Sequence, residues 1–435
     1  MTHRRGTILT LLVVIAGLTA CSGGNPTAPT QGNSTATPSP RSLVATSPPG
    51  TPPGCVAPGE PTPPPALAPG PVSVDDLRMV TPSVGWGVVT VTPGAAGGVG
   101  AGAVPARIVR TTDGGLHWSD VSPGGAVTSA MAVLSADEAF VAGAAAYVVP
   151  VEGCGWQPAP APIFHTIDGG AHWSQLAGQL PLAAAEVDEL FFLDREHGWA
   201  LDASGCATQC EQQGAALAST VDGGRHWSLV AATGLGYPPQ PPVGRLTEGC
   251  SKFSLAFMTA STGILGTACG GDVFQFLLTF DGGRTWSEED LHPDSPIDYE
   301  ITSAAAVSKE DAFIFAAEHT SQLYATHDGF RTWQRVSLPE GLTDPPDFIT
   351  AADGFVLGSR LYRTVSGGKS WTPVASNLDL ASQVQGYQAV GLDFVTTSVG
   401  FAVRRDPATG AITNLYRTDD GGREWQELHP LFVDY

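Results

Sequence analysis

Thr111-Thr112-Asp113-Gly114-Gly115-Leu116-His117-Trp118 is an octapeptide whose pattern returns six more times, as Thr166 to Trp173, Thr220 to Trp227, Thr279 to Trp286, Thr326 to Trp333, Thr364 to Trp371 and Thr418 to Trp425. The shared template is Thr-x-Asp-Gly-Gly-x-x-Trp, and its chemistry is that of a hairpin turn. A carboxylate in the turn can accept hydrogen bonds from nearby backbone N–H groups, and paired glycines permit positive φ. The tryptophan then leaves the turn with a large apolar body to lay against a sheet. Asp113, Asp168, Asp222, Asp281, Asp328 and Asp420 are therefore expected to be structural rather than catalytic. The same holds for Trp118, Trp173, Trp227, Trp286, Trp333, Trp371 and Trp425. Ser366 stands where the sixth copy should have its Asp, and Phe330 replaces the second glycine of the fifth, so those two turns are expected to be looser. His117, His172 and His226 hold equivalent places in different copies, which keeps them from converging on one metal.

The third positions of successive copies lie 55, 54, 59, 47, 38 and 54 residues apart, a period suited to a four-stranded unit with variable loops. A second, weaker repeat precedes each copy. It is an apolar strand, a short turn, a small residue and an aromatic, as in Leu77 to Val80 with Gly85-Trp86, or Val390 to Val395 with Gly400-Phe401. Each unit thus reads as strands A, B, C and D, with the Asp-containing turn between C and D. Residues 72–435 are expected to form an all-β, seven-bladed β-propeller of four-stranded antiparallel blades.

Upstream, Arg4 and Arg5 precede an apolar run from Ile8 to Gly17, too short to span a bilayer comfortably. The tetrad Leu18-Thr19-Ala20-Cys21 resembles the lipobox of bacterial lipoproteins. That resemblance implies a signal peptide over residues 1–20, cleavage before Cys21 and diacylglycerol on its thiol, hence an extracytoplasmic protein anchored to the bacterial cell membrane. Residues 21–71 carry 15 prolines, no aromatic residue, and only Arg41 and Glu60 as charges. Such a segment cannot bury enough apolar surface to offset its ordering entropy and reads as a disordered tether, reaching on the order of 150 Å if extended as polyproline II.

The formal net charge is −21 and Lys252, Lys309 and Lys369 are the only lysines, which argues against nucleic acid as a partner, because phosphate binding needs clustered positive charge. Apart from Cys21 there are six cysteines, an even number in an exported chain, which points to disulfides. Cys250 and Cys269 bracket the A–B hairpin of the fourth unit and are the best-placed pair. Cys206 with Cys210 would close a small loop, and Cys55 is left for Cys154. A zinc site at Cys206-x-x-x-Cys210 lacks nearby His or Cys ligands to complete it. The disulfide scheme predicts no free thiol among these six in the oxidised protein, and unreduced peptide mapping that finds three free thiols refutes it.

The template is similar to the Asp box, or bacterial neuraminidase repeat. Tandem Asp boxes with the interleaved strand–turn–Gly–aromatic pattern resemble the seven-bladed propeller family that includes the photosystem II stability and assembly factors, over about Val72 to Trp425. That resemblance implies action by binding other proteins, without catalysis or cofactor. It does not carry over a photosynthetic role, because the basic surface used by those members is not evident in this acidic chain. Sialidases and xyloglucan-cleaving enzymes also carry Asp boxes. A sialidase needs three convergent arginines and a Tyr nucleophile, and the nearest string to its usual Arg-Ile-Pro is Arg107-Ile108-Val109. Arg78, Arg195, Arg245, Arg360, Arg404 and Arg405 lie outside the boxes as possible members of such a cluster. The expected function is a non-catalytic protein-binding or assembly scaffold. The alternatives are a glycan or small-molecule binder and a sialidase-like hydrolase. Trp156 is the one tryptophan in neither repeat. With Tyr147 and Tyr237 it is the candidate recognition surface, on the face opposite the Asp boxes where the long B–C and D–A loops emerge, for another extracytoplasmic protein or a glycan.

Overall fold

A computed structural model describes residues 70–433 apart from 72–73, 75, 91–105, 125–126, 145–146, 152–154, 159, 183–186, 207–212, 234–243, 248–249, 270–272, 290–298, 319–320, 340–341, 343–344, 379–389 and 406–411. Its strands group into seven four-stranded antiparallel blades. The first comprises Asp76–Met79, Gly85–Thr90, Ala106–Thr111 and His117–Asp120; the second, Val127–Val133, Ala139–Gly143, Ile163–Thr166 and Ser174–Gln175. The third is Glu189–Phe192, Gly198–Cys206, Gln213–Thr220 and Ser228–Ala232, and the fourth Cys250–Phe257, Gly263–Cys269, Val273–Thr279 and Ser287–Glu289. The fifth is Tyr299–Ala306, Ala312–Glu318, Gln322–Thr326 and Gln334–Val336. The sixth is Asp347–Phe348, Gly354–Leu357, Leu361–Thr364 and Thr372–Pro373, and the seventh Val390–Phe394, Gly400–Arg405, Ile412–Thr418 and Trp425–Leu428. In every blade these are strands A to D, as the double repeat predicts.

The register explains the weaker repeat. The last residue of strand A faces the first of strand B in all seven blades: Met79 opposite Gly85, Val133 opposite Ala139, Phe192 opposite Gly198, Phe257 opposite Gly263, Ala306 opposite Ala312, Phe348 opposite Gly354 and Phe394 opposite Gly400. Glycine pairs with the bulky partners and alanine with valine or alanine. A Cβ on Gly400 would come within 2.5 Å of the Phe394 ring, and one on Gly198 within 2.6 Å of Phe192. The aromatic after that glycine or alanine serves the next blade. Phe140 stacks on Phe192, Trp199 on Phe257, Phe313 on Phe348 and Phe355 on Phe394, with ring centroids 3.4–3.7 Å apart. The Asp-box tryptophan then meets the same strand-A ring edge-on, as Trp227 does Phe192 and Trp425 does Phe394. The core is thus a chain of inter-blade seams rather than one central mass.

The ring's edge is closed by the C-terminal strand. Leu431–Phe432 runs parallel to the outermost strand of the first blade, and Gly70–Pro71 pairs antiparallel on its outer side. Gly70 and Pro71, inside the segment read as tether, thus join the ring's edge, because the C-terminal strand gives those two residues a partner. Phe432 is buried with Val74, Val89, Val109 and Trp118.

Candidate functional site

The seven Asp boxes repeat one set of hydrogen bonds. In the first, the Thr111 hydroxyl donates to Asp113 Oδ1 (3.0 Å) and accepts the Gly115 N–H (3.0 Å), while Asp113 Oδ1 accepts the His117 N–H (2.9 Å). The N–H of the first glycine donates to the A–B turn of the same blade in all seven, from Gly114 to Ser83 O through Gly421 to Ser398 O. Hydrogen bonds from the His172 backbone and ring hold Asp168 at a pKa of about 2, and the His226 ring and backbone do the same for Asp222. The Thr332 hydroxyl and N–H hold Asp328 at about 2. These acids are ionised and bonded within their own loops, as a turn requires and a general acid does not. His117, His172 and His226 each bond through Nδ1 to the Asp of their own box, at 2.6, 2.7 and 2.5 Å.

The expectation of two looser turns needs correcting at one of them. Phe330 adopts φ 70° and its N–H reaches the Thr326 hydroxyl at 3.1 Å, so the glycine geometry is kept by a non-glycine. Burial of the ring, stacked on Trp333 at 5.5 Å, is what offsets the strain of that left-handed conformation. At Ser366 the single hydroxyl still accepts the Ser370 N–H (3.1 Å) but lacks the second oxygen that Asp supplies elsewhere.

On the opposite face, Tyr147–Val151 and Gly155–Pro158 form a separate two-stranded hairpin between strands B and C of the second blade. Tyr147 pairs in register with Pro158 and Trp156 with Pro150, so the two predicted residues sit on one insertion. Tyr237, Cys55, Cys154 and Cys210, like Cys21, lie outside the described residues. Cys250 is directly opposite Cys269 in the fourth blade's A–B pair, the register a cross-strand disulfide needs, and Cys206 ends strand B of the third blade.

Of the arginines considered for a sialidase site, Arg78 is on strand A of the first blade and Arg404 and Arg405 end strand B of the adjacent seventh, while the other three lie apart from one another. Arg195 is on the A–B turn of the third blade, where it pairs with Glu138 of the second at 2.7 Å. Arg360 is on the B–C turn of the sixth blade, at the other end of the ring, and Gly244–Arg245 lies outside the outermost strand of the third. Arg110, Arg363 and Arg417 lie over the strand-B rings of Trp86, Phe355 and Phe401 at 5.6 Å, where they act as lids on the inter-blade seams. Among the described residues no group of three or more His, Cys, Asp or Glu is placed to hold a metal ion.

Sequence reasoning missed an acidic seam near the axis. The buried Glu189 of the third blade accepts the N–H groups of Ser254 (2.6 Å) and Leu255 (2.8 Å) of the fourth. Ser254 has φ 58°, which turns both N–H groups toward the carboxylate, and its hydroxyl accepts the Ala304 N–H of the fifth blade (2.9 Å). Burial pushes Glu189 up to about 7. Asp393 likewise accepts the Met79 N–H (2.8 Å), and Asp347 that of Phe394. A strand-A acid is thus used to bind neighbouring blades, a role that its isolated sequence position does not signal.

A family model described as photosynthesis system II assembly factor YCF48 matches residues 251–422, which span the fourth to seventh blades and are less than half of the chain. No curated protein matches the chain. Among solved structures, a YCF48 bound to D1 peptide is 15% identical with a TM-score of 0.47, covering 82% of this chain and 97% of that one. YCF48 from Cyanidioschyzon merolae is 16% identical, with a TM-score of 0.47 and coverages of 84% and 97%. A GH74 xyloglucanase from Xanthomonas campestris is 15% identical with a TM-score of 0.46, and the match covers 85% of this chain but 55% of the enzyme.

Proposed function

We propose that this chain is an exported, lipid-anchored propeller that binds another extracytoplasmic protein as a non-catalytic scaffold. The observation that carries the reading is the division of labour in the ring. Asp-box acids, strand-B aromatics and strand-C arginines are engaged in turns and seams, whereas the hairpin bearing Tyr147 and Trp156 belongs to no blade. An insertion on a rigid scaffold is where recognition can vary without cost to the fold. The match of four blades to a model of assembly factors supports the same class of function. The lipobox-like Leu18 to Cys21 supports the anchor, since several acyl chains give stable attachment where one is marginal.

Two variants test this reading. Trp156→Ala is expected to weaken partner capture from a membrane extract tenfold or more, on the order of 1.4 kcal/mol, with thermal unfolding nearly unchanged. A large drop in melting temperature with undiminished capture would assign Trp156 to packing. Cys21→Ser should stall processing or release the protein from the membrane fraction, and unchanged fractionation would remove the lipid from the picture.

A further inference from the structure

Six large hydrophobic side chains are exposed among the described residues, and five of them lie on the Asp-box face: Leu116, Ile167, Val221, Phe280 and Val365. Four of these occupy the same place, the x of Thr-x-Asp, in the second, third, fourth and sixth blades. The turn does not require an apolar residue there, because Thr112, His327 and Asp419 hold that position in the other three. Ile167, Val221 and Phe280 are 66%, 70% and 53% exposed, on three consecutive blades, and Leu116 extends the arc into the first. Scattered surface hydrophobics need no explanation, but repetition at one height of a ring is a pattern.

We propose that this arc, from Leu116 to Phe280, is an interfacial face that rests on the lipid bilayer; the inference builds on the anchor reading above. Equivalent positions of successive blades lie at one level along the propeller axis, so their tips can meet a plane together, and a bilayer is planar. With a net charge of −21 on the chain, the contact would be carried by the apolar tips and not by attraction to anionic headgroups. Asp168, Asp222 and Asp281 are turned into their own loops. Beside Val221 and Phe280, Arg225 and Arg284 are exposed, each with one N–H on the carbonyl of its box Asp, at 3.0 and 2.9 Å. The A–B turn tip of the fourth blade is the uncharged Thr259-Ala260-Ser261, whereas the third carries Asp194 and Glu196 beside an Arg195 that pairs with Glu138, and the second carries Asp137 paired with Arg110, so the lipid this face suits is zwitterionic. Apolar side chains at the boundary with flanking cations are the composition of an interfacial contact. Cys21 lies 49 residues before the edge strand at Gly70, so the anchor would hold the protein near a membrane, and a weak contact then suffices. The candidate recognition hairpin, on the other face, would point away from the bilayer.

The test uses the full chain carrying Cys21→Ser, so that no lipid is attached, with phosphatidylcholine vesicles whose acyl chains are brominated. Phe280→Trp and, as a reference on the opposite face, Ser359→Trp each add one tryptophan, and the parent's emission is subtracted. The added emission at position 280 is expected to be quenched at least twofold more than that at position 359. Equal quenching at the two positions, or no vesicle association at millimolar lipid, overturns the proposal. So does a dimer that Phe280→Asp converts to monomer without any effect of vesicles, which would make the arc an interface between copies. Failure of the anchor reading is scored separately, by the fractionation of Cys21→Ser in cells.

Discussion

Replacing Phe394 by alanine is expected to destabilise the propeller by about 3–5 kcal/mol, the scale for removing a buried phenylalanine. The ring is fully buried, stacks on Phe355 at 3.6 Å, meets Trp425 edge-on and faces Gly400 across the A–B pair. Gly400→Ala is expected to cost about 1–3 kcal/mol through overpacking, since its Cβ would sit 2.5 Å from the Phe394 ring. The two changes occupy the same space, so the double variant should cost less than their sum. The fifth blade already runs with Ala306 opposite Ala312. Additive shifts in the denaturation midpoint would mean that the glycine is not there to clear the ring.

How much of this was legible in the sequence depends on the length scale of the signal. The Asp boxes and the Gly–aromatic repeat specify hairpins, and hairpins repeated at a regular spacing specify blades, so seven blades and their strand order follow from local chemistry alone. The pairing of Gly with Phe and Ala with Val across strands A and B is visible too, once the register is known. Glu189 was not legible, because its partners at Ser254 and Leu255 come from the next blade and nothing local marks an acid as a staple between strands. Nor was the role of Gly70–Pro71, whose pairing partner lies at the far end of the chain. The apolar x positions were in plain view within the template, but only the structure shows Thr-x-Asp pointing that side chain outward in every blade. For the binding site, the two repeats left Trp156 alone among the tryptophans without a scaffold role, with Tyr147 and Tyr237 near it in the chain's long loops. The backbone register puts Tyr147 and Trp156 on opposite strands of one hairpin, which the sequence did not show.

Ending the chain at Leu428 is expected to unclasp the first blade without opening the ring, and the reason lies in comparing the two closures. The clasp is Leu431–Phe432, held by N–H bonds from Leu431 and Val433 to the Leu116 and Trp118 carbonyls and by the buried Phe432. Its loss strips cover from Val74, Val89, Val109 and Trp118 and leaves Gly70–Pro71 with no strand to pair. One buried phenylalanine and a two-residue ladder are worth about 3–5 kcal/mol. The seam between the seventh and first blades is larger: Met79, Phe401, Val403, Leu415 and Leu428 are buried together, at about 1.5–3 kcal/mol each. Asp393 accepts the Met79 N–H, and Arg417 reaches Pro82 O at 3.0 Å. The truncated chain should therefore melt at a lower temperature but still cooperatively, with new proteolytic cutting confined to residues near 70–75 and the outer edge of the first blade. Met79→Asp, which leaves the clasp in place but charges the seam, should be the more damaging of the two. If the truncation abolishes cooperative unfolding while Met79→Asp is mild, the C-terminal strand and not the apolar seam closes the propeller.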